Sequence, residues 1–135
     1  MQKNFTIDQS IEVLNDGSIY DLHNRFDFGD LSISSGRAAT LLLRPHEEYG
    51  KGLPTIQIEA IDVDFLELSE GFGTRDLPGI EELGYKYPND RDLDWLMTEY
   101  QAKPDDHLVV RFSAEDYIRF HAREVLLTRC SGVVD

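Results

Sequence analysis

The sequence predicts an α+β fold, a predominantly antiparallel β-sheet of about six to eight strands with one main helix near residues 89–101 packed on it. Three observations carry this prediction. Several segments alternate apolar and polar residues with period two, clusters of turn residues separate them, and one stretch repeats its apolar residues at helical spacing. A barrel or a sandwich with a helical flap satisfies the same pattern. With 135 residues, the chain is expected to form a single domain over 1–135. Its 41% hydrophobic content supplies a core, and 29% charged residues keep the surface wet.

The elements follow in order. Ile11–Leu14 and Ser18–Leu22 flank Asn15-Asp16-Gly17, residues that tolerate the positive φ of a tight hairpin turn. A second hairpin is expected about Ser34-Ser35-Gly36-Arg37, with Leu31 and Ile33 before it and Leu41, Leu42 and Leu43 after it. Three consecutive leucines suggest a strand covered on both faces, and Pro45 ends it. His46–Leu53, with Gly50 and Gly52, reads as a loop. In Thr55–Leu68 the apolar parity switches between Ala60 and Ile61, so one extra residue, a β-bulge, is expected there. Ser69–Pro88 is the longest irregular stretch. It reads either as a functional loop or as a plain connection with a helical turn at Ile80–Leu83.

The helix is placed at Asn89–Tyr100. Asn89 suits an N-cap, Asp90 and Asp92 suit the positive end of the dipole, and Pro104 blocks continuation. Leu93, Leu96, Met97 and Tyr100 would form one buried stripe. The tail reads as strands rather than a helix. A loop at Ala114-Glu115-Asp116 would set 112 opposite 118, 110 opposite 120 and 108 opposite 122, every pair apolar. Arg111, Arg119, His121 and Arg123 would then face outward, paired with acids of the middle segment.

Charge narrows the partners. The net charge is −13, which disfavours direct binding to nucleic acid, since phosphates must be neutralised by Lys and Arg. Residues 59–106 hold 14 acids and 4 bases, so most of the negative field arises there and would steer a basic protein. No run of about 20 apolar residues suits a membrane helix, and Met1–Ser10 lacks the apolar core of a secretory signal. The single Cys130 allows no disulfide within the chain, which favours a cytoplasmic location.

Catalytic, cofactor-binding and metal-ligating motifs are not found. Asp90-Arg91-Asp92-Leu93-Asp94 resembles the start of a calcium loop, but Trp95 and Gln101 stand where that loop needs Gly and Glu. His46-Glu47-Glu48 lacks the second histidine of a zinc-protease helix. His23, His46, His107 and His121 lie far apart in sequence, and Gly71-Phe72-Gly73 lacks the rest of a nucleotide fingerprint. Asp62 and Asp64, two residues apart on a strand, could share a metal or simply form a solvated face.

The candidate partner-binding set is Asp92, Asp94, Trp95, Glu99, Asp62 and Asp64. On a helix, Trp95 would point about 150° away from the apolar stripe, an exposed indole inside an acidic ring, as in an interface anchor. The alternative is that the long Gly-rich loop folds over it, or that Arg91 or Glu99 shields it.

Tyr20-Asp21-Leu22-His23-Asn24, followed by alternating strands, then Ile61-Asp62-Val63-Asp64-Phe65 and a final Val-Val-Arg-Phe hairpin, resembles small bacterial proteins of the immunity type, which neutralise polymorphic toxins. The resemblance implies a cytosolic inhibitor without catalysis of its own and carries over no site residues. The expected function is therefore non-enzymatic docking, with no cofactor, on a basic partner such as a toxin. The alternatives are a small metal-dependent hydrolase using Asp62, Asp64 and His23 or His46, and a structural subunit of a larger assembly.

Overall fold

A computed structural model describes residues 1–74 and 79–130. Ten strands run in order: β1 (Gln2–Lys3), β2 (Thr6–Asp8), β3 (Glu12–Asn15), β4 (Ser18–Asp21), β5 (Phe26–Ser34), β6 (Ala38–Pro45), β7 (Thr55–Leu68), β8 (Ile80–Lys86), β9 (His107–Phe112) and β10 (Tyr117–Cys130). A single turn of 3-10 helix, Ser113–Glu115, joins the last two. Strands account for 58% of the structure and helix for 2%. The architecture is thus nearly all β, and the α+β prediction is corrected.

The main sheet has the order β5-β6-β7-β10-β9-β8, with β1 added in parallel to β10; β2-β3-β4 form a small antiparallel meander. The large sheet curls into a half-barrel that brings β5 towards β8. Phe28, Phe72 and Phe112 meet edge to face near that opening, with Phe28 and Phe112 centroids 5.2 Å apart. Inside the curl lie Leu43, Ile56, Ile58, Leu83, Val110 and Ile118, and Phe5, Ile7, Val13 and Tyr20 of the first residues join the same core.

Local chemistry explains the hairpins. Asp16 and Gly17 at φ 53° and 83° make a two-residue turn between β3 and β4, where the Asn-Asp-Gly signal lies. Arg37, at φ 61°, closes the loop between β5 and β6. The expected bulge in β7 is present a few residues later than the parity suggests. Asp62 adopts φ 57°, and the pairing with β10 slips by one residue between Val63 and Phe65. Val63, Leu66 and Leu68 then pack on the core, whereas Phe65 stacks on His107.

Ile80–Leu83 begins β8 and is not a helical turn. Its backbone is taken by β9, with Leu83 opposite Val110. Residues 75–78 of the preceding stretch, including Pro78, lie outside the described residues.

The tail forms strands, but in a different register. Ile118 faces Val110 and Phe120 faces Leu108, a register shifted by two residues from the pairs the sequence suggested. The 3-10 turn, with Glu115 at φ 68°, and the bond from Phe112 N–H to the Asp116 carbonyl set the three-residue connection at 113–115, one residue earlier than expected. A shift of two keeps the parity, so every inward side chain stays inward.

The absent helix has a specific cause. Asp90 Oδ1 accepts the N–H of Asp92 at 2.9 Å, and Asp92 Oδ1 accepts that of Asp94 at 3.0 Å. Such side-chain bonds compete directly with helical ones. The carbonyls of Tyr87, Pro88 and Asp90 are claimed in turn by the Arg119 guanidinium. Beyond them, Met97 exchanges both backbone bonds with Tyr85, laying the segment along β8. Gly84 permits this approach, because a Cβ there would stand 2.6 Å from the Leu96 Cβ. The supposed stripe consequently splits, with Met97 buried and Tyr100 99% exposed.

Candidate functional site

The acidic segment after β8 is held from beneath by two cations that the surface does not see. Arg119 and Lys86 are both 0% exposed. Arg119 donates from Nε to His107 Nδ1 at 2.9 Å, from Nη1 to the Asp90 carbonyl, and from Nη2 to the carbonyls of Tyr87 and Pro88. The sequence placed this arginine on the outward face, but it is an internal staple for residues 87–90. Its planar fork spans three carbonyls at once, which an ammonium cannot do.

Lys86 places its Nζ 3.2 Å from Asp90 Oδ2 and 3.3 Å from the centroid of the Trp95 ring. The inner face of the indole therefore covers an ammonium, a desolvated cation–π contact. The rest of Trp95 remains 47% exposed. Neither Arg91 nor Glu99 covers it in the manner considered from sequence: Arg91 pairs with Glu67 at 2.7 Å, and Glu99 turns inward. Asp92 and Asp94 are exposed beside it. Tyr87 and Trp95 each lie two residues beyond the Tyr85–Met97 bridge, on the same side of it, and both are exposed.

The rest of the candidate set does other work. Glu99 accepts from Lys3 Nζ at 2.8 Å, from Ile7 N–H at 2.9 Å and from the Tyr85 hydroxyl at 2.7 Å. Burial opposes its charge, but these three donors outweigh burial and hold its carboxyl below the ordinary range. The Tyr85 phenol is pushed up, first by burial and then by Glu99. Glu99 thus ties the meander to the acidic segment, with its carboxylate engaged inside the protein.

Asp62 and Asp64 sit on β7 against β10. Asp62 accepts from Arg123 Nε at 2.9 Å and from Arg37 Nη2 at 3.4 Å; the hydrogen bond from Arg123 is the main reason its pKa is lowered. Asp64 meets His121 Nδ1 at 2.7 Å. Neither is left as uncompensated negative charge.

His23 and His46 line a different place, a cleft between the β4–β5 turn and the β6–β7 loop that contains neither Asp62 nor Asp64. The carboxylates and histidines considered for hydrolysis therefore do not converge. Among the described residues, no group of three His, Cys, Asp or Glu side chains is placed to hold a metal ion. No helix among them is long and apolar enough to cross a membrane.

The set brought together is Asp92, Asp94 and Trp95, to which the structure adds Tyr87 across the strip from Trp95. Lys86 and Arg119, which position that set, were missed. Arg119 has the outward parity between the core residues Ile118 and Phe120, so parity alone gave no signal of its burial; residues 87–90 cover that face of the strand.

No family model, curated protein or solved structure matches the chain.

Proposed function

We propose that this chain is a non-enzymatic binding protein whose acidic face over residues 87–105 docks on a basic protein partner. The observation that carries the reading is Trp95, exposed on one face and fixed on the other by Lys86, with Asp92 and Asp94 exposed at its sides. An aromatic anchor loses little freedom on binding when its ring is already held. Surrounding carboxylates would speed encounter with a cationic surface and leave the apolar contact to set residence time. Tyr87, exposed opposite Trp95 beyond the Tyr85–Met97 bridge, extends the aromatic area.

The resemblance to immunity-type proteins makes a basic toxin enzyme the partner to try first, with the present chain acting as its cytoplasmic inhibitor. The decisive experiment is capture of a partner from the native cells on the full chain, followed by affinity measured against salt. A basic partner whose association slows steeply as salt rises supports the reading. A neutral partner with salt-independent association, or one unaffected by Trp95→Ala, overturns it.

A further inference from the structure

The cleft between the β4–β5 turn and the β6–β7 loop gathers chemistry that docking through Trp95 does not use. The two loops are braced against each other. His46 N–H donates to the Arg25 carbonyl at 2.8 Å, and Arg25 Nη1 donates to the Tyr49 carbonyl at 3.3 Å. Gly50 is buried where they meet; a Cβ there would run into the Arg25 carbonyl and stand 2.5 Å from the His46 nitrogen. The floor of the cleft is thus preorganised rather than loose.

Hydrogen bonding fixes both imidazole tautomers. His46 Nδ1 accepts the backbone N–H groups of Glu48 and Tyr49 at 3.0 and 3.1 Å, so its ring proton is on Nε2. His23 Nδ1 lies 2.7 Å from the Ile80 carbonyl, which can only accept, so this nitrogen carries the proton and, in the neutral ring, Nε2 holds the lone pair. The cleft therefore offers one ring donor, at His46, and one ring acceptor, at His23. This combination argues against a two-histidine metal site, since His46 has no free lone pair to give.

Arg25 and Lys51 line the same cleft, and neither pairs with a carboxylate among the described residues. In a chain of net charge −13 that is a local exception. The Asp21 carboxylate is occupied by the N–H groups of His23 and Asn24 and by the Asn24 amide, and Glu48 stands exposed at the rim.

We propose that this cleft binds a phosphate group that retains one hydroxyl, as a phosphomonoester can. Arg25, Lys51 and His46 Nε2–H address the charged oxygens, and the phosphate hydroxyl donates to His23 Nε2. An oxyanion without a proton matches the cations but leaves His23 facing a like lone pair.

Inorganic phosphate and sulfate are the probes, read by the imidazole nitrogen resonances of the whole protein. Phosphate is expected to shift the ring signals of both His23 and His46, and sulfate to bind more weakly. Lys51→Gln should weaken phosphate binding about tenfold, given the usual strength of hydrogen bonds to charged groups. Glu48→Gln, which removes the rim charge, should tighten it. Both positions are exposed, so these variants keep the fold. Unmoved histidine signals, equal affinity for sulfate and phosphate, or a His46 proton found on Nδ1 overturn the proposal. These readouts are independent of any protein partner.

Discussion

Arg119 Nε donates to His107 Nδ1 at 2.9 Å, between two side chains that are both buried. A guanidinium only donates, so the imidazole accepts at Nδ1 and keeps its proton on Nε2. Protonating His107 would break that bond and set a second cation beside the first. Burial first, and then the charges of Arg119 and His121, lower its pKa from 6.5. The nearby acids Asp64 and Asp106 oppose this shift without cancelling it. The unfolded chain therefore binds a proton here at a higher pH than the folded one. Stability contributed by neutral His107 is complete above pH 6.5 and is lost as pH falls from there towards the folded value. Denaturant midpoints should decline over that window, and His107→Gln should flatten the decline. A midpoint independent of pH below 6.5 in the parent protein would refute this.

Replacing Arg119 by Met removes the donors for three backbone carbonyls and the His107 ring. An unsatisfied buried acceptor costs about 1–3 kcal/mol, so the loss should reach about 3 kcal/mol or more. Arg119→Lys should recover little, since one ammonium cannot span those sites. Urea unfolding measures both. A cost near zero for Arg119→Met would show that residues 87–90 are held by something else.

Lys86→Met leaves the volume beneath Trp95 filled while deleting the cation–π contact and the pair with Asp90. A desolvated contact of this kind is worth about 2 kcal/mol. Trp95 is the sole tryptophan, so intrinsic fluorescence reports its surroundings directly. The variant should shift the emission and expose the indole further to an aqueous quencher. An unchanged spectrum would mean that the ring is not fixed by the ammonium.

Gly84→Ala tests the strip that carries the site. The new methyl would stand 2.6 Å from the Leu96 Cβ and 2.8 Å from the Met97 carbonyl, so residues 96–97 must move off β8. Overpacking of this kind costs about 1–3 kcal/mol. It should also reduce amide protection at Tyr85 and Met97, the two partners in the bridge.

On the docking face, Trp95→Ala should raise the dissociation rate of the captured partner and cost about 2 kcal/mol or more, as an interface anchor does. Asp92→Asn with Asp94→Asn should chiefly slow association and lessen its salt dependence. Asp62→Asn should change neither rate, because that carboxylate is already engaged by Arg123 and Arg37.

The strands were legible because their signals are local. Asn15-Asp16-Gly17 marks its own turn, and the parity of Ile56, Ile58 and Ala60 marks its own buried face. The segment 89–100 was not legible, because what decides it is distant. Its spacing and its N-terminal acids suit a helix, yet Arg119, some thirty residues later, takes the Asp90 carbonyl that such a helix would use and fixes the chain entering it through the Tyr87 and Pro88 carbonyls. The Asp-x-Asp-x-Asp run was a usable local warning, since aspartates two apart bond the backbone in turns as readily as they start helices. The outward Trp95 survives the change of backbone, and Asp92 and Asp94 stay exposed beside it, but the rest of the predicted set does not gather there. Glu99, Asp62 and Asp64 have closer partners that only the folded chain brings near.

The position of β10 in the sheet sets the order in which the molecule can assemble. Residues 117–130 form the last of the described strands, yet they lie between β7 and β9 and also receive β1 from the first described residues. On a ribosome, the hairpins β3-β4 and β5-β6 can close early, but the curl waits for β10 to emerge. Folding should therefore be slow, in milliseconds to seconds, as for other chains dominated by distant strand pairings, and a nascent chain halted before Tyr117 would expose the unpaired edges of β7 and β9.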